Sequence, residues 1–207
     1  MKQRITDIQP HPQLHSHHQL YLNQKPATVI HTSLVKKFGL RIGLEIEAQV
    51  IEKIVAADEE MKAKNYALRL LREEIYSKTQ MTRQLEGQGY GENTVKTIIT
   101  ELIQSGYIRD KQFAEKWIQK RLRTNPRGKT LLRQELIDKG VDRETAEKAI
   151  AEVKMEDEET LALQIAQKQA RHYKNLPIQT ARRRLHGYLA RRGYESDVIL
   201  RIIQELF

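Results

Sequence analysis

Two long stretches of the sequence carry many basic side chains and no acidic ones. They run from Lys116 to Gln134 and from Thr160 to Tyr194, and acidic segments bound both of them. Grouped lysine and arginine favour binding to phosphates or carboxylates, and arginine pairs with either anion through parallel hydrogen bonds. A basic surface that only faces solvent is the alternative interpretation. The candidate contact residues are Lys116, Lys120, Arg121, Arg123, Arg127, Lys129, Arg133, Arg182, Arg183, Arg184, Arg191 and Arg192.

The arginines of the second stretch can be placed on a helix. If Leu185 faces the core, an advance of about 100° per residue puts Arg183, Arg184 and Arg191 on the outer surface. Arg182 falls nearer the edge of the core, where its aliphatic stem can pack. Any single arginine could instead pair with an acidic side chain of this chain, such as one in the acidic run that precedes the helix.

No arrangement of residues in the sequence matches a catalytic site. There is no glycine-rich phosphate loop after a strand, and serines and carboxylates fall mostly at predicted helix starts, turns and solvent faces. The sequence has no cysteine, which excludes disulfides and thiolate metal sites. His11, His15, His17 and His18 lie in a proline-flanked segment without regular ligand spacing, so no metal site is predicted. We expect a protein that is not an enzyme and has no cofactor.

The composition predicts a soluble protein with an acidic partner. The chain has 207 residues, 30% of them charged, and a net charge of +9. It has no apolar run of the roughly 18–20 residues that a membrane span requires. Residues 1–10 also lack the apolar segment of a signal peptide. We therefore expect a cytoplasmic protein that does not contact a membrane.

The elements that must carry the basic residues recur three times along the chain. Gly89, Gly140 and Gly193 are 51 and 53 residues apart, and apolar residues occupy matching places around each of them over 22 positions. A leucine stands four residues before each glycine and an isoleucine ten residues after it. Apolar spacings of three and four on both sides predict two amphipathic helices joined by a turn, with room for a preceding helix. The sequence predicts three tandem three-helix repeats that form an elongated array.

The predicted fold is mainly α-helical, with a small β/α module in front of the repeats. The module covers residues 1–57, and the repeats cover 58–109, 110–157 and 158–207. In repeat 2, the apolar face of the first helix includes Trp117, which we expect in the core.

The N-terminal module is predicted to contain a β-hairpin and two helices. Ser33 can cap a short helix that ends at Phe38, and a second helix is expected over residues 44–57. The polar segment 10–18 is expected to be a mobile connection. The predicted strands are Ile5–Ile8, Gln19–Leu22 and Ala27–His31.

Residues 58–207 resemble a known protein family. Gly106-Tyr107-Ile108, then Phe113-Ala114-Glu115-Lys116-Trp117 and Arg121, are similar to the central pattern of the bacterial RecX family. Arg191-Arg192-Gly193-Tyr194 is similar to the family's Arg-Arg-Gly-Phe segment, with tyrosine in place of phenylalanine.

The resemblance implies a regulator of the RecA recombinase that acts in homologous recombination, DNA repair and the SOS response. Such a protein lodges in the groove of the RecA–DNA filament and inhibits the ATPase, recombinase and coprotease activities of RecA. The implied partners are the RecA filament and, weakly and without sequence preference, single- and double-stranded DNA, with this chain acting as a monomer. One departure is Arg109, which stands where the family commonly has an acidic residue or asparagine.

An autonomous DNA-binding protein, such as a transcription factor, is the alternative function. Three-helix units resemble helix-turn-helix modules, whose last helix reads bases. The third helices here, around Thr94–Ile99 and Ala146–Ile150, are nearly neutral rather than rich in arginine, asparagine and glutamine. A nuclease is disfavoured because no cluster of acids could hold a metal ion.

Overall fold

The protein is mainly helical, as the sequence predicts, with one small sheet near the N-terminus. The computed structural model describes residues 2–207, and only the backbone of residues 155 and 156. A short 3-10 helix, Arg171–Tyr173, follows α8. The elements are β1 (Lys2–Pro10), β2 (His17–Leu22), β3 (Lys25–His31), α1 (Thr32–Lys37), β4 (Glu45–Glu47), α2 (Ala48–Glu73), α3 (Lys78–Gly87), α4 (Glu92–Gln104), α5 (Asp110–Thr124), α6 (Lys129–Asp138), α7 (Arg143–Ala151), α8 (Met155–Ala170), α9 (Ile178–Arg191) and α10 (Ser196–Leu206).

The described residues form two compact units. The first contains residues up to 74 together with 82–104, and the second contains 75–81 together with 105–207. The first unit holds the sheet and the second holds repeats 2 and 3.

The sheet of the first unit is antiparallel, with strand order β3-β2-β1-β4. Its β2–β3 hairpin turns at Asn23 and Gln24, which have φ angles of 48° and 65°, as a two-residue hairpin turn requires. One face of the sheet packs against α1 and α2, and Ile5, Leu20 and Ile30 are fully buried there.

The N-terminal module differs from its prediction in several ways. Strand β4 was not predicted, and β2 already includes His17 and His18, so the predicted mobile connection is shorter than residues 10–18. The cap of α1 is His31 rather than Ser33, because the His31 side chain accepts a hydrogen bond from the Ser33 amide at 3.2 Å.

One helix, α2, stands where the sequence predicts the end of one helix and the start of another. It continues through Asp58, which is buried and therefore does not begin a helix. Its carboxylate accepts a hydrogen bond from the His31 amide at 2.7 Å and pairs with Lys62 at 2.6 Å. Asp58, the first residue of predicted repeat 1, thus links the helix to β3.

Each repeat consists of three helices: α2–α4, α5–α7 and α8–α10. The glycine turns between second and third helices share one geometry: Gly89, Gly140 and Gly193 have φ angles of 85°, 82° and 82°. In each turn the amide after the glycine donates to the carbonyl five residues earlier, which is the Schellman arrangement of a helix end. Asp142 caps α7 by accepting a hydrogen bond from the Thr145 amide.

Successive repeats in the second unit meet at equivalent backbone carbonyls, which belong to the glycine turn of the later repeat. Repeat 1 places Ser77 and Thr79, at the start of α3, against the glycine turn of repeat 2. The Ser77 hydroxyl donates to the carbonyl of Lys139 at 2.6 Å, and the Thr79 hydroxyl donates to that of Gly140 at 3.1 Å. We call this set of contacts the first junction.

The second junction repeats this pattern with backbone donors. At the start of α6, the amide of Gly128 donates to the carbonyl of Arg192 at 2.9 Å. Two residues later, the amide of Thr130 donates to the carbonyl of Gly193 at 3.2 Å. Counted from the repeat glycines, donors and acceptors occupy the same positions in both junctions.

An acidic side chain completes each junction. The amide of Lys78 donates to Asp110 Oδ1 at 2.8 Å, and the amide of Lys129 donates to Glu158 Oε1 at 3.0 Å. Each acid belongs to the first helix of the following repeat and occupies the N-terminus of the preceding middle helix, where unpaired amides favour negative charge. The junctions are therefore recognition sites for two carbonyls and one carboxylate.

The junctions also explain why two of the turn glycines are tightly packed. A Cβ on Gly193 would overlap Leu131, with the Leu131 amide nitrogen only 2.5 Å away, and a Cβ on Gly140 would overlap the Thr79 side chain. A Cβ on Gly89 would meet nothing within 4 Å among the described residues.

Candidate functional site

Part of the first basic stretch forms an exposed cationic face on α5. Lys116, Lys120 and Arg123 follow one another at spacings of four and three, so they lie on one side of the helix. Their side chains are exposed and make no ion pair or hydrogen bond with the side chains that the structure describes. We call them the repeat-2 basic surface.

A second cationic face lies on α9, where the sequence predicts it. Arg183, Arg184 and Arg191 are exposed, while Leu185 and Leu189 of the same helix are fully buried. None of the three guanidinium groups pairs with an acid of the described chain. We call them the repeat-3 basic surface, and all of their donors are available to an external anion.

Arg121 is held inside repeat 2. Its Nε donates to Glu135 Oε2 at 2.7 Å, and the Trp117 Nε1 donates to the same oxygen at 3.0 Å. The guanidinium also lies over the Trp117 ring, 4.6 Å from the ring centroid. This residue of the RecX-like pattern therefore orients the tryptophan, and its charge is paired with Glu135.

Trp117 is half-buried rather than fully in the core. Its ring stacks beside Phe113 with the centroids 6.3 Å apart, and Lys139 Nζ lies 3.9 Å from its centroid. The indole nitrogen must reach the partly exposed Glu135, which keeps the ring at the edge of the core.

Four of the other five candidates in the second unit have partners of their own, whereas the buried Nε of Arg127 has no hydrogen-bond partner among the described residues. Arg133 pairs with Glu147 at 2.8 Å, and Lys129 Nζ lies 3.8 Å from Glu158. Arg127 is half-buried. The remaining two contact neutral acceptors: Arg182 Nη2 donates to the Phe207 carbonyl at 2.9 Å, and Arg192 Nη1 donates to Asn125 at 3.2 Å.

A buried ionisable cluster lies at the second junction. Glu158 is only 3% exposed, and burial raises its pKa above the ordinary value, although the Lys129 amide and ammonium act in the opposite direction. Tyr194 is 5% exposed, and burial together with the nearby Glu158 charge raises its pKa to about 12. Its hydroxyl has no hydrogen-bond partner among the described residues.

The raised pKa of Glu158 predicts a pH dependence that Glu158→Gln should remove. A raised folded-state pKa means that the folded state favours the protonated carboxyl, so this contribution is present at low pH and is lost as pH rises through the folded pKa. From about pH 7 to about pH 5, the parent should therefore gain stability relative to Glu158→Gln, which keeps the acceptor oxygen but does not titrate.

Urea unfolding of both proteins, followed by Trp117 fluorescence at the two pH values, measures this difference. Glu158→Ala is the companion variant: it removes the cap of α6 and should cost about 1–2 kcal/mol at both pH values. A parent-minus-glutamine difference that does not change with pH would contradict the assigned pKa direction.

The predicted bystander histidines belong partly to the sheet. His18 Nδ1 lies 3.1 Å from the Thr32 hydroxyl, and the rings of His17 and His31 meet edge to face with centroids 5.3 Å apart. Burial lowers the pKa of His17. No group of three histidine, aspartate or glutamate side chains suited to a metal ion occurs among the described residues. Among the described residues of the whole chain, no helix has the length and apolar character that a membrane span requires.

The sequence pattern of the repeats did not reveal the two acids of the junctions. Asp110 and Glu158 stand 30 and 35 residues before their repeat glycines, so the register that aligns the helices does not align them. It also did not distinguish Tyr107, which is 55% exposed, from the buried Ile108 beside it.

Comparison with known proteins confirms the RecX resemblance. The models of the second and third three-helix domains of RecX match residues 110–150 and 156–203. The regulatory protein RecX of Amycolatopsis mediterranei (strain U-32) is 36% identical over 144 residues, which cover 70% of this chain and 82% of that protein. The regulatory protein RecX of Clostridioides difficile (strain 630) is 26% identical over 202 residues, covering 98% and 95% of the two chains.

Two solved structures share the fold. A crystal structure of regulatory protein RecX covers 98% of this chain and 99% of its own, with a TM-score of 0.80 and 24% identity. The crystal structure of RecX from Lactobacillus salivarius has a TM-score of 0.68 at 27% identity, covering 72% of this chain and 97% of its own. With this fold, both domain matches and the Amycolatopsis relative in agreement, the chain belongs to the RecX family of regulatory proteins.

Proposed function

We propose that this chain is a non-enzymatic, cytoplasmic regulator that binds in the groove of the RecA–DNA filament and inhibits the ATPase, recombinase and coprotease activities of RecA. The observation that carries the proposal is the set of exposed, unpaired cations on α5 and α9. A filament groove offers DNA phosphates and acidic protein surface together, and both are anions that arginine and lysine bind.

The division of the twelve candidates supports this function. Five have partners within the chain, and Arg127 is half-buried. The other six, which form the repeat-2 and repeat-3 basic surfaces, hold their charges in solvent without an internal counter-ion in the described chain. Of the twelve, we propose these six as the principal contacts.

The proposed binding to DNA alone is weak and independent of sequence. Phosphate contacts release counterions, so the affinity should fall with salt at a logarithmic slope of about 0.9 per contact on duplex DNA. Strong selection of one duplex sequence would favour the transcription-factor alternative instead.

The direct test is the DNA-stimulated ATPase activity of RecA with increasing amounts of this chain. The activity should fall while the chain is still less abundant than RecA, because one monomer lodged in the groove blocks several RecA protomers. Filament formation without the chain is checked by electron microscopy. An ATPase rate that is unchanged at saturating chain, where filaments form, would refute the proposal.

A further inference from the structure

The position of the repeat-3 arginines becomes informative when the three repeats are aligned on their glycines. The positions that form the junctions in repeats 1 and 2 are occupied in repeat 3 by Ala181, Arg182 and Arg183. Helix α9 begins at Ile178, about one turn earlier than α3 and α6 in this alignment. The Ala181 amide is already bonded to the Pro177 carbonyl at 3.0 Å, so it cannot act as the junction amide does. Two arginine side chains therefore stand where the junctions have hydroxyl or backbone donors.

A groove lies beside these arginines, between α9 and α10. Its volume is about 460 Å³. Leu200, which is 53% exposed, and the largely buried Ile203 supply its apolar surface. The lining residues are Arg182, Arg183, His186, Leu200, Ile203 and Gln204. We call it the repeat-3 groove.

The same helix pair is closed in repeat 2. There the positions of His186 and Leu200 are held by Arg133 and Glu147, which form an ion pair 2.8 Å long across the two helices. Repeat 3 has an exposed leucine where repeat 2 has the acid, so the cations at this place keep no internal acidic partner. No acidic side chain lines the groove.

The polar contacts at these aligned positions are with main-chain and carboxylate oxygens. Arg182 donates to the backbone carbonyl of Phe207 at 2.9 Å. At the junctions, the equivalent positions of repeats 1 and 2 bind two carbonyls and a carboxylate. The junction positions of repeats 1 and 2, and Arg182 in repeat 3, therefore contact polypeptide oxygens.

We propose that the repeat-3 groove binds an acidic peptide segment of a partner protein. Its carboxylates pair with Arg183 and with the free donors of Arg182, and an apolar side chain of the segment covers Leu200. A polypeptide fits better than a nucleic acid, because Leu200 and Ile203 give the groove an aliphatic surface and its lining includes no phenylalanine, tyrosine or tryptophan ring on which a base could stack. This inference goes beyond the proposed function, since it holds whether or not RecA is the partner.

The test measures binding of a fluorescein-labelled peptide, Glu-Glu-Leu-Phe-Glu-Glu, to the full chain by fluorescence anisotropy. One control peptide has serines in place of its apolar pair, and another has lysines in place of its glutamates. The parent should bind the first peptide at least tenfold more tightly than either control. Both Arg183→Glu and Leu200→Glu should weaken that binding at least tenfold.

Arg171→Ala is the matched control variant, because Arg171 is an exposed arginine of the same repeat outside the groove lining, and it should bind the peptide as the parent does. Since Leu200 and Arg183 are both exposed, circular dichroism spectra should not change. Leu200→Ser, which removes the aliphatic surface without placing an acid beside Arg183, should also bind a single-stranded oligonucleotide nearly as well as the parent, which separates the apolar part of this groove from the cation surfaces of the proposed function.

Three results would overturn the proposal. The first is peptide affinity that survives both charge-introducing substitutions. The second is an oligonucleotide that displaces the peptide and whose own binding is lost in Leu200→Ser, which would assign the groove to nucleic acid. The third is a dimer of the parent in sedimentation velocity that Leu200→Glu dissociates, which would assign the groove to a second copy of the chain.

Discussion

Gly193→Ala is expected to lower the free energy of unfolding of the second unit by about 2–5 kcal/mol. An alanine at a φ of 82° costs about 1–2 kcal/mol, because its Cβ approaches the following carbonyl. The same Cβ would overlap Leu131 at the second junction, and overpacking costs about 1–3 kcal/mol more. Two of the Leu131 atoms that the Cβ would overlap, the amide nitrogen and Cα, belong to the backbone and cannot move aside by a side-chain rotation. Urea unfolding followed by Trp117 fluorescence measures the loss.

Gly89→Ala is the matched control for this effect. Its φ is 85°, so the conformational cost is the same, but nothing lies within 4 Å of the added carbon. Its cost should be about 1–2 kcal/mol, measured by circular dichroism because the tryptophan is in another repeat. The difference between the two variants isolates the packing at the junction. Equal losses would mean that the junction does not constrain the turn.

Replacing Arg183, Arg184 and Arg191 together with alanine should weaken DNA binding by about tenfold to a hundredfold at low salt, because up to three phosphates are no longer bound. The logarithmic slope of affinity against salt should become shallower by about 0.9 for each of these phosphates. Inhibition of the RecA ATPase should require correspondingly more protein. Stability should change by no more than about 0.5 kcal/mol per residue, since all three side chains are exposed.

The control for the triple variant removes three exposed cations elsewhere. Lys53, Arg83 and Lys96 lie outside both basic stretches and are exposed. Their joint replacement by alanine lowers the net charge by the same amount, so any general effect of charge appears in both proteins. If both triple variants bind DNA and inhibit RecA as the parent does, the repeat-3 basic surface is merely solvated. If both variants bind DNA equally weakly, only the net charge matters.

The repeat structure was predictable because its signals are local. An apolar period and a glycine that must adopt a positive φ define two helices and their turn within 22 residues, and the helices lie where these signals place them. The N-terminal module was harder, because tertiary contacts decide it. Strand β4 is three residues long and exists because it pairs with β1 at Gln3 and Ile46. The single helix α2 depends on Asp58 being buried against β3.

For the candidate site, the sequence shows which residues are charged but not which of these charges are paired with an acid of the same chain. The outward positions of Arg183 and Arg184 follow from the helical period. The pairing of Arg121 with Glu135 joins two helices and has no local signal. The groove arises because repeat 3 has an exposed leucine where repeat 2 has a glutamate. The sequence shows this difference, but only the packing of the two helices shows that a groove results.

The early start of α9 has a consequence for how the molecule can change in length. A duplicated copy of repeat 2 inserted between repeats 2 and 3 would bring both a helix start with free amides and a turn with free carbonyls. A unit fused behind repeat 3 would find the amides of α9 already used within the helix. Evolution or protein engineering can therefore lengthen this protein by inserting repeats between repeats 2 and 3. A unit added next to α9 would be connected by the chain but would find no free helix-start amides to form a junction.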